Sequence, residues 1–142
     1  MDVALIPPVQ VPYVMGAVLP YLVKSEQWTG GKAKVDDILR FVLNGQMQLW
    51  AVYEDNTIYG HYITEVKKYP QCQMLVVQYC AGEPHHMETV EEKGFNMLES
   101  FAKDANCSGV EFVGRPGWRK AADKYGYGVQ SVMYQKFFED KP

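Results

Sequence analysis

What this chain has little of narrows its class before any motif is read. Its 142 residues hold three cysteines, Cys72, Cys80 and Cys107, an odd number with no Cys-x-x-Cys spacing. That pattern excludes a disulfide-stapled scaffold or a zinc ribbon and predicts reduced, partly buried thiols in a reducing compartment. Cations are not in excess: 14 Lys and Arg stand against 17 Asp and Glu, a formal net charge of −3. A general nucleic-acid binder needs the opposite balance to neutralise phosphates, although a local basic patch stays compatible with it. The longest apolar run, residues 14–23, carries Pro20 and reaches about half the length that spans a bilayer. Residues 1–4 have no basic n-region, so no secretory signal is expected. The expectation is a soluble protein, intracellular or carried inside something made intracellularly.

What is present suits one globular domain over residues 1–142, since 47% of the residues are hydrophobic and the length supports a core without staples. Val11, Val14, Val18, Leu19 and Leu22 recur at helical spacing and predict a first helix over 11–24, bent or shortened at Pro20. Thr29, Gly30 and Gly31 break the chain. Asp36 and Asp37 then favour a second helix start, Ile38, Leu39 and Val42 supply its buried stripe, and Asn44-Gly45 stops it. Strands are predicted over 49–54 and 58–68, joined by the turn at Asp55-Asn56-Thr57. A third, nearly continuous apolar strand over 73–80 completes a meander, and such strands are usually buried on both faces. A loop over 81–86 leads to the longest predicted helix, marked by Met87, Val90, Gly94, Met97, Leu98, Phe101 and Ala102, with Glu88, Glu91 and Glu92 complementing its dipole. A short strand over 110–113, a short helix over 118–125 and an alternating strand over 129–138 close the sheet. The fold class is α/β (α+β): a mixed, mainly antiparallel sheet with helices on both faces and one parallel crossover.

From about Asp36 to Phe138 this order resembles the GNAT (N-acetyltransferase) superfamily, and Lys124-Tyr125-Gly126-Tyr127 resembles the Gly-aromatic step that leaves that family's last helix. The resemblance implies a cofactor, acetyl-CoA, with its pyrophosphate cradled by a Gln/Arg-x-x-Gly-x-Gly/Ala loop at a helix N-terminus. Here that loop is Ala81-Gly82-Glu83-Pro84-His85-His86-Met87. It has one glycine, Pro84 lacks an N–H, and Glu83, with Glu88 near it, places negative charge where a pyrophosphate would sit. The resemblance also implies a Tyr general acid four residues before the Gly of the Gly-aromatic pair, a position held here by Ala122; Tyr125 is the substitute to weigh, against a packing role. A second resemblance is to small phage and prophage proteins encoded among the virion-assembly and internal-virion genes of short-tailed phages. It is carried by Gly45-Gln46-Met47-Gln48-Leu49-Trp50, Thr64-Glu65, Tyr69-Pro70 and, most specifically, by residues 110–118 (Val-Glu-Phe-Val-Gly-Arg-Pro-Gly-Trp). It implies a role in the virion or in its assembly.

Other candidates carry a bland alternative beside the chemical one. His85 and His86 diverge and lack a third ligand at a recognisable spacing, so no metal set is expected. His61 reads as a satisfied strand histidine. Cys80 with His85 reads as a core thiol rather than a nucleophile pair. Glu65 and Glu111 fall in strands near the sheet centre and could serve as general bases if they converged in a cleft; charges marking a sheet edge are the alternative. Arg115, Arg119, Lys120 and Lys124, with Trp118, form a candidate partner-binding surface or a solvated helix face. Trp28, Tyr62, Tyr134 and Phe137 read as exposed-looking aromatics, compatible with a covered surface or an oligomer, although strand alternation would bury several of them. Two functions follow, and a third, a nucleic-acid-associated ejected protein, rests on the basic helix alone and implies binding that weakens steeply with salt. The first is a catalytically degenerate GNAT-fold phage protein, without a cofactor, acting through protein contacts in the virion or host cytoplasm. The second is an acyl-CoA-dependent N-acetyltransferase with an atypical pyrophosphate loop.

Overall fold

Five strands rich in β-branched and aromatic residues build a single sheet in strand order β1-β2-β3-β4-β5. The computed structural model describes residues 1–139. The strands are β1 (Asp2–Ile6), β2 (Met47–Glu54), β3 (Thr57–Lys68), β4 (Gln73–Gly82) and β5 (Gly109–Phe112). The first four pair antiparallel in sequence order, and β5 joins β4 parallel. The helices are α1 (Val11–Glu26), α2 (Val35–Leu43), α3 (Pro84–Thr89), α4 (Glu91–Asp104) and α5 (Arg119–Lys124). By contacts the chain divides into two units, Met1–Phe112 and Val113–Pro142.

In the first unit, the period of two along each strand separates two cores. On one face Val3, Trp50, Val52, Leu75 and Val77 pack with Val90, Leu98 and Ala102 beneath α4. On the other, Met47, Leu49 and Ile63 pack with Val11, Val18 and Leu22 of α1 and Ile38 and Val42 of α2. Helices therefore cover both faces, as the sequence predicts. The polar atoms under α4 are satisfied: Trp50 Nε1–H donates to Thr64 Oγ1 at 3.0 Å, and the Thr64 hydroxyl donates to Gln48 Oε1 at 2.8 Å. Gly94 of α4 has a steric reason: a Cβ there would lie 2.6 Å from the Tyr62 hydroxyl oxygen. Tyr62 is thus packed beneath α4, one of the aromatics that strand alternation buries.

Four sequence expectations need correction. Strand β1 was not foreseen; its five residues precede Pro7 and Pro8, and only Val3 is fully buried, too short a signal to separate from a leader segment. Pro20 does not shorten α1, which runs 16 residues to Glu26 and is the longest helix; the proline is solvent-exposed. The single helix expected from Met87 onward is two, α3 and α4, divided at Val90 (φ −95°, ψ 1°), and this break turns Val90 into the core at 1% exposure. Residues 129–138 form no strand. Their alternation has no buried face behind it, because Val129, Val132, Tyr134 and Phe138 are all exposed, and a period of two defines a strand only when one of its faces is buried.

Candidate functional site

The register of β4 against its two neighbours creates the most distinctive place in the first unit. β5 pairs with β4 only from Met74–Gly109 to Val77–Phe112, while β3 stays paired with β4 to Gly82. Beyond Val77, β4 therefore runs on without β5 beside it. A β-bulge lies at this point, where Ile63 pairs with Tyr79 and Thr64 with Val77, leaving Gln78 as the extra residue. Bulges re-aim side chains, and here the Gln78 amide turns to Glu65 of β3, donating to Oε2 at 3.4 Å. The Gln46 amide donates to the other oxygen, Oε1, at 3.3 Å. Tyr79 packs on the same face, in the α1–α2 core. Its phenol is pushed above the usual tyrosine range, first by burial and then by the carboxylates of Glu65 and Asp37, so it stays a protonated O–H.

Glu65 and Glu111 do not converge. Both are in register with Val76, one strand to either side, which separates them by roughly two strand spacings, about 9.5 Å. Glu111 is engaged by the Tyr69 hydroxyl at the far edge. Of the two carboxylates proposed from sequence, only Glu65 stands beside the bulge. The bulge could not be read from sequence, since nothing in residues 73–82 distinguishes an extra residue from an ordinary one.

The far end of the same stretch is built differently. Glu83 is the N-cap of α3, and its carboxylate accepts the backbone N–H groups of His85 at 3.3 Å and His86 at 2.8 Å. It also binds the His86 Nδ1, and these donors hold its carboxyl far below the ordinary range, at about 2, with the His86 ring as the first cause. The His86 ring stacks on Tyr59 at 3.8 Å between centroids and 4° between planes. His85 diverges, its ring at 76° to that of His86. Gly82 faces Gly60 across the β3–β4 ladder, and the Met87 side chain fills the space over both; a Cβ on either would lie 2.5 Å from the Met87 sulfur. The groove beside Gly82 is therefore occupied by the protein's own side chain on this face.

A second polar pair lies buried under α1. His61 of β3 and Ser25 of α1 are fully enclosed, with Ser25 Oγ 2.9 Å from His61 Nε2. The ring is only half satisfied, contrary to the sequence expectation, because Nδ1 has no hydrogen-bond partner among the described residues. Burial lowers its pKa to about 4. In the second unit, the Arg115 guanidinium lies 5.4 Å from the centre of the Trp118 ring, and the Lys124 ammonium 5.4 Å from that of Tyr125. Arg119 and Lys120 open α5 beside them and are exposed.

A five-stranded, mostly antiparallel sheet with helices on both faces matches the fold of the GNAT acetyltransferases. No family model and no curated protein matches the sequence; the likeness is structural. The chain is similar to the ribosomal-protein-alanine N-acetyltransferase of Brucella melitensis biovar Abortus 2308, at 16% identity and a TM-score of 0.70, covering 97% of this chain and 100% of that one. It is similar to a predicted acetyltransferase with acetyl-CoA from Clostridium acetobutylicum, at 12% identity and a TM-score of 0.67, covering 96% and 95%. It is also similar to an aminoglycoside N-acetyltransferase in complex with CoA, at 12% identity and a TM-score of 0.66, covering 95% and 93%. These neighbours correct the expectation of no cofactor: proteins of this fold and size bind CoA or acetyl-CoA, so an irregular loop sequence is not grounds for excluding such a ligand. Among the described residues, no helix is long and apolar enough to cross a membrane.

The residues present fit one part of a CoA-type ligand and not another. An extended, amide-bearing chain pairs with the edge of a strand, and β5 pairs with β4 no further than Val77; that register suits the pantetheine arm. The start of α3, with its carboxylate cap and its Met87 filling, does not suit a diphosphate.

Proposed function

We propose that this chain binds an acyl-CoA-type thioester along β4 beyond Val77 and transfers its acyl group to an amine. The observation that carries this reading is Glu65, held by two neutral amides at the bulge where β5 leaves β4. A bound acyl thioester supplies an activated carbonyl. The chain supplies position and proton handling. The β4 backbone past Val77 orients the extended arm. Glu65 is placed to accept a proton from the attacking amine, and a positioned carboxylate in such a role contributes about 10²–10⁴-fold. Tyr79, held protonated beside it, is a neutral O–H donor on the same face. Ala122 offers no proton, and Tyr125 near the end of α5 is not needed for this assignment.

The test is calorimetric titration with acetyl-CoA, followed by thiol release in the presence of a panel of primary amines. Binding together with amine-dependent release supports the reading. No heat and no release at millimolar acetyl-CoA would sink it.

A second reading, a virion or assembly protein working through protein contacts in the particle or host cytoplasm, is favoured by the stacked Arg115–Trp118 pair. Arg and Trp are frequent anchors of interfaces, and Arg119, Lys120 and Lys124 extend the same surface. Its test is whether wild-type chain, but not Trp118→Ala, is retained in purified particles.

A further inference from the structure

The donor-binding reading leaves open which part of the donor is recognised, and the start of α3 answers it by a full account of its N–H groups. A helix leaves its first four N–H groups unpaired, and these are what an anion would bind. Here residue 84 is a proline with no N–H to offer. The N–H groups of His85 and His86 go to the Glu83 carboxylate, and that of Met87 goes to the Glu83 carbonyl at 3.0 Å. The Glu83 N–H itself is spent on the Tyr59 carbonyl at 2.8 Å. No backbone donor is left at this turn. The space over Gly60 and Gly82 is independently closed by Met87, and the His86–Tyr59 stack fixes the ring that completes the Glu83 cage. The charge nearest these N–H groups is the Glu83 carboxylate itself, which repels an incoming phosphate.

We infer that this chain recognises its donor as an acyl-pantetheine thioester and leaves the nucleotide diphosphate unheld, with Glu83 as the residue that sets this specificity. The inference rests on the acyl-donor reading above and narrows its substrate class. The pantetheine arm is common to CoA and to shorter carriers of the same thioester, and these differ in charge, which provides the test.

The experiment titrates the full-length protein calorimetrically with S-acetylpantetheine, S-acetyl-4′-phosphopantetheine and acetyl-CoA, and repeats the series with Glu83→Gln. Thermal melts establish that the variant is folded. The expected wild-type result is affinity that is level within about threefold, or falls, as phosphate is added. In Glu83→Gln, which keeps an acceptor oxygen and loses the charge, acetyl-CoA should tighten about fivefold while S-acetylpantetheine stays within twofold. Acetyl-CoA binding tenfold or more tighter than S-acetylpantetheine in the wild type would overturn the inference and leave the acyl-donor reading standing. Equal gains for all three ligands in the variant, or none, would remove Glu83 as the determinant. Failure of all three ligands to bind either protein would overturn both readings together.

Discussion

Glu65 and Glu83 stand near the two ends of the part of β4 that extends past β5, and the same side chain meets opposite surroundings. Glu83 is surrounded by N–H donors and an imidazole, and its carboxyl is held at about 2. Such a group is a permanent anion, useful for capping a helix and useless for taking up a proton near neutral pH. Glu65 is held by two neutral amides, which fix its position without supplying a compensating charge. The lesson is that neither residue type nor distance from the cleft sets the role of a carboxylate; the charge and number of its donors do.

The largest effect that could break this contrast is on chemistry. Glu65→Gln should lower the acyl-transfer rate by about a hundredfold or more, while the affinity for the donor holds. Thiol-release kinetics beside calorimetry would separate the two, and an unchanged rate would remove Glu65 from the mechanism.

The next effect concerns His61, a buried base to set against two carboxylates. Its folded pKa of about 4 lies below the ordinary 6.5, so the unfolded chain takes up the proton first. Stability is therefore full above pH 6.5, falls as the pH drops from 6.5 to 4, and levels off below that; the shift corresponds to about 3 kcal/mol. Urea melts across that window should show the loss, and His61→Gln should flatten it. Glu83 acts in a separate window: its depressed pKa means stability present above about 4.5 that is lost as the pH falls through about 2, so Glu83→Gln should flatten only that lower limb.

A smaller effect sharpens the reading of the Glu83 end. Gly82→Ala would set a Cβ 2.5 Å from the Met87 sulfur and 2.8 Å from the Tyr59 carbonyl oxygen, and overpacking of this kind costs about 1–3 kcal/mol. The shift in Tm measures it. If Met87→Ala restored stability in full, the thioether alone would be responsible; partial restoration would point to the backbone contact as well.

Much of the frame was legible in local pattern. The stripe Ile38, Leu39 and Val42 marked α2, the turn at residues 55–57 set the β2–β3 hairpin, and the apolar run over 73–80 marked β4, which is flanked by β3 and β5. These are signals carried within a few residues, where period and turn chemistry act directly. The loop over 82–87 was equally legible as an unusual anion site, because Pro84 and Glu83 declare a missing donor and an added charge without reference to any neighbour.

Local pattern in the chain thus specified the meander, the buried stripe of α2 and the charge at the start of α3. Only the tertiary structure decided that Gln78 is an extra residue facing Glu65, that Met87 closes the space over Gly60 and Gly82, that His61 meets Ser25 from 36 positions away, and that residues 129–138 form no strand. Each of these depends on which segments lie side by side. A bulge, a filled groove and a buried pair are relations between strands and helices distant in sequence, and no single segment contains the information to specify them.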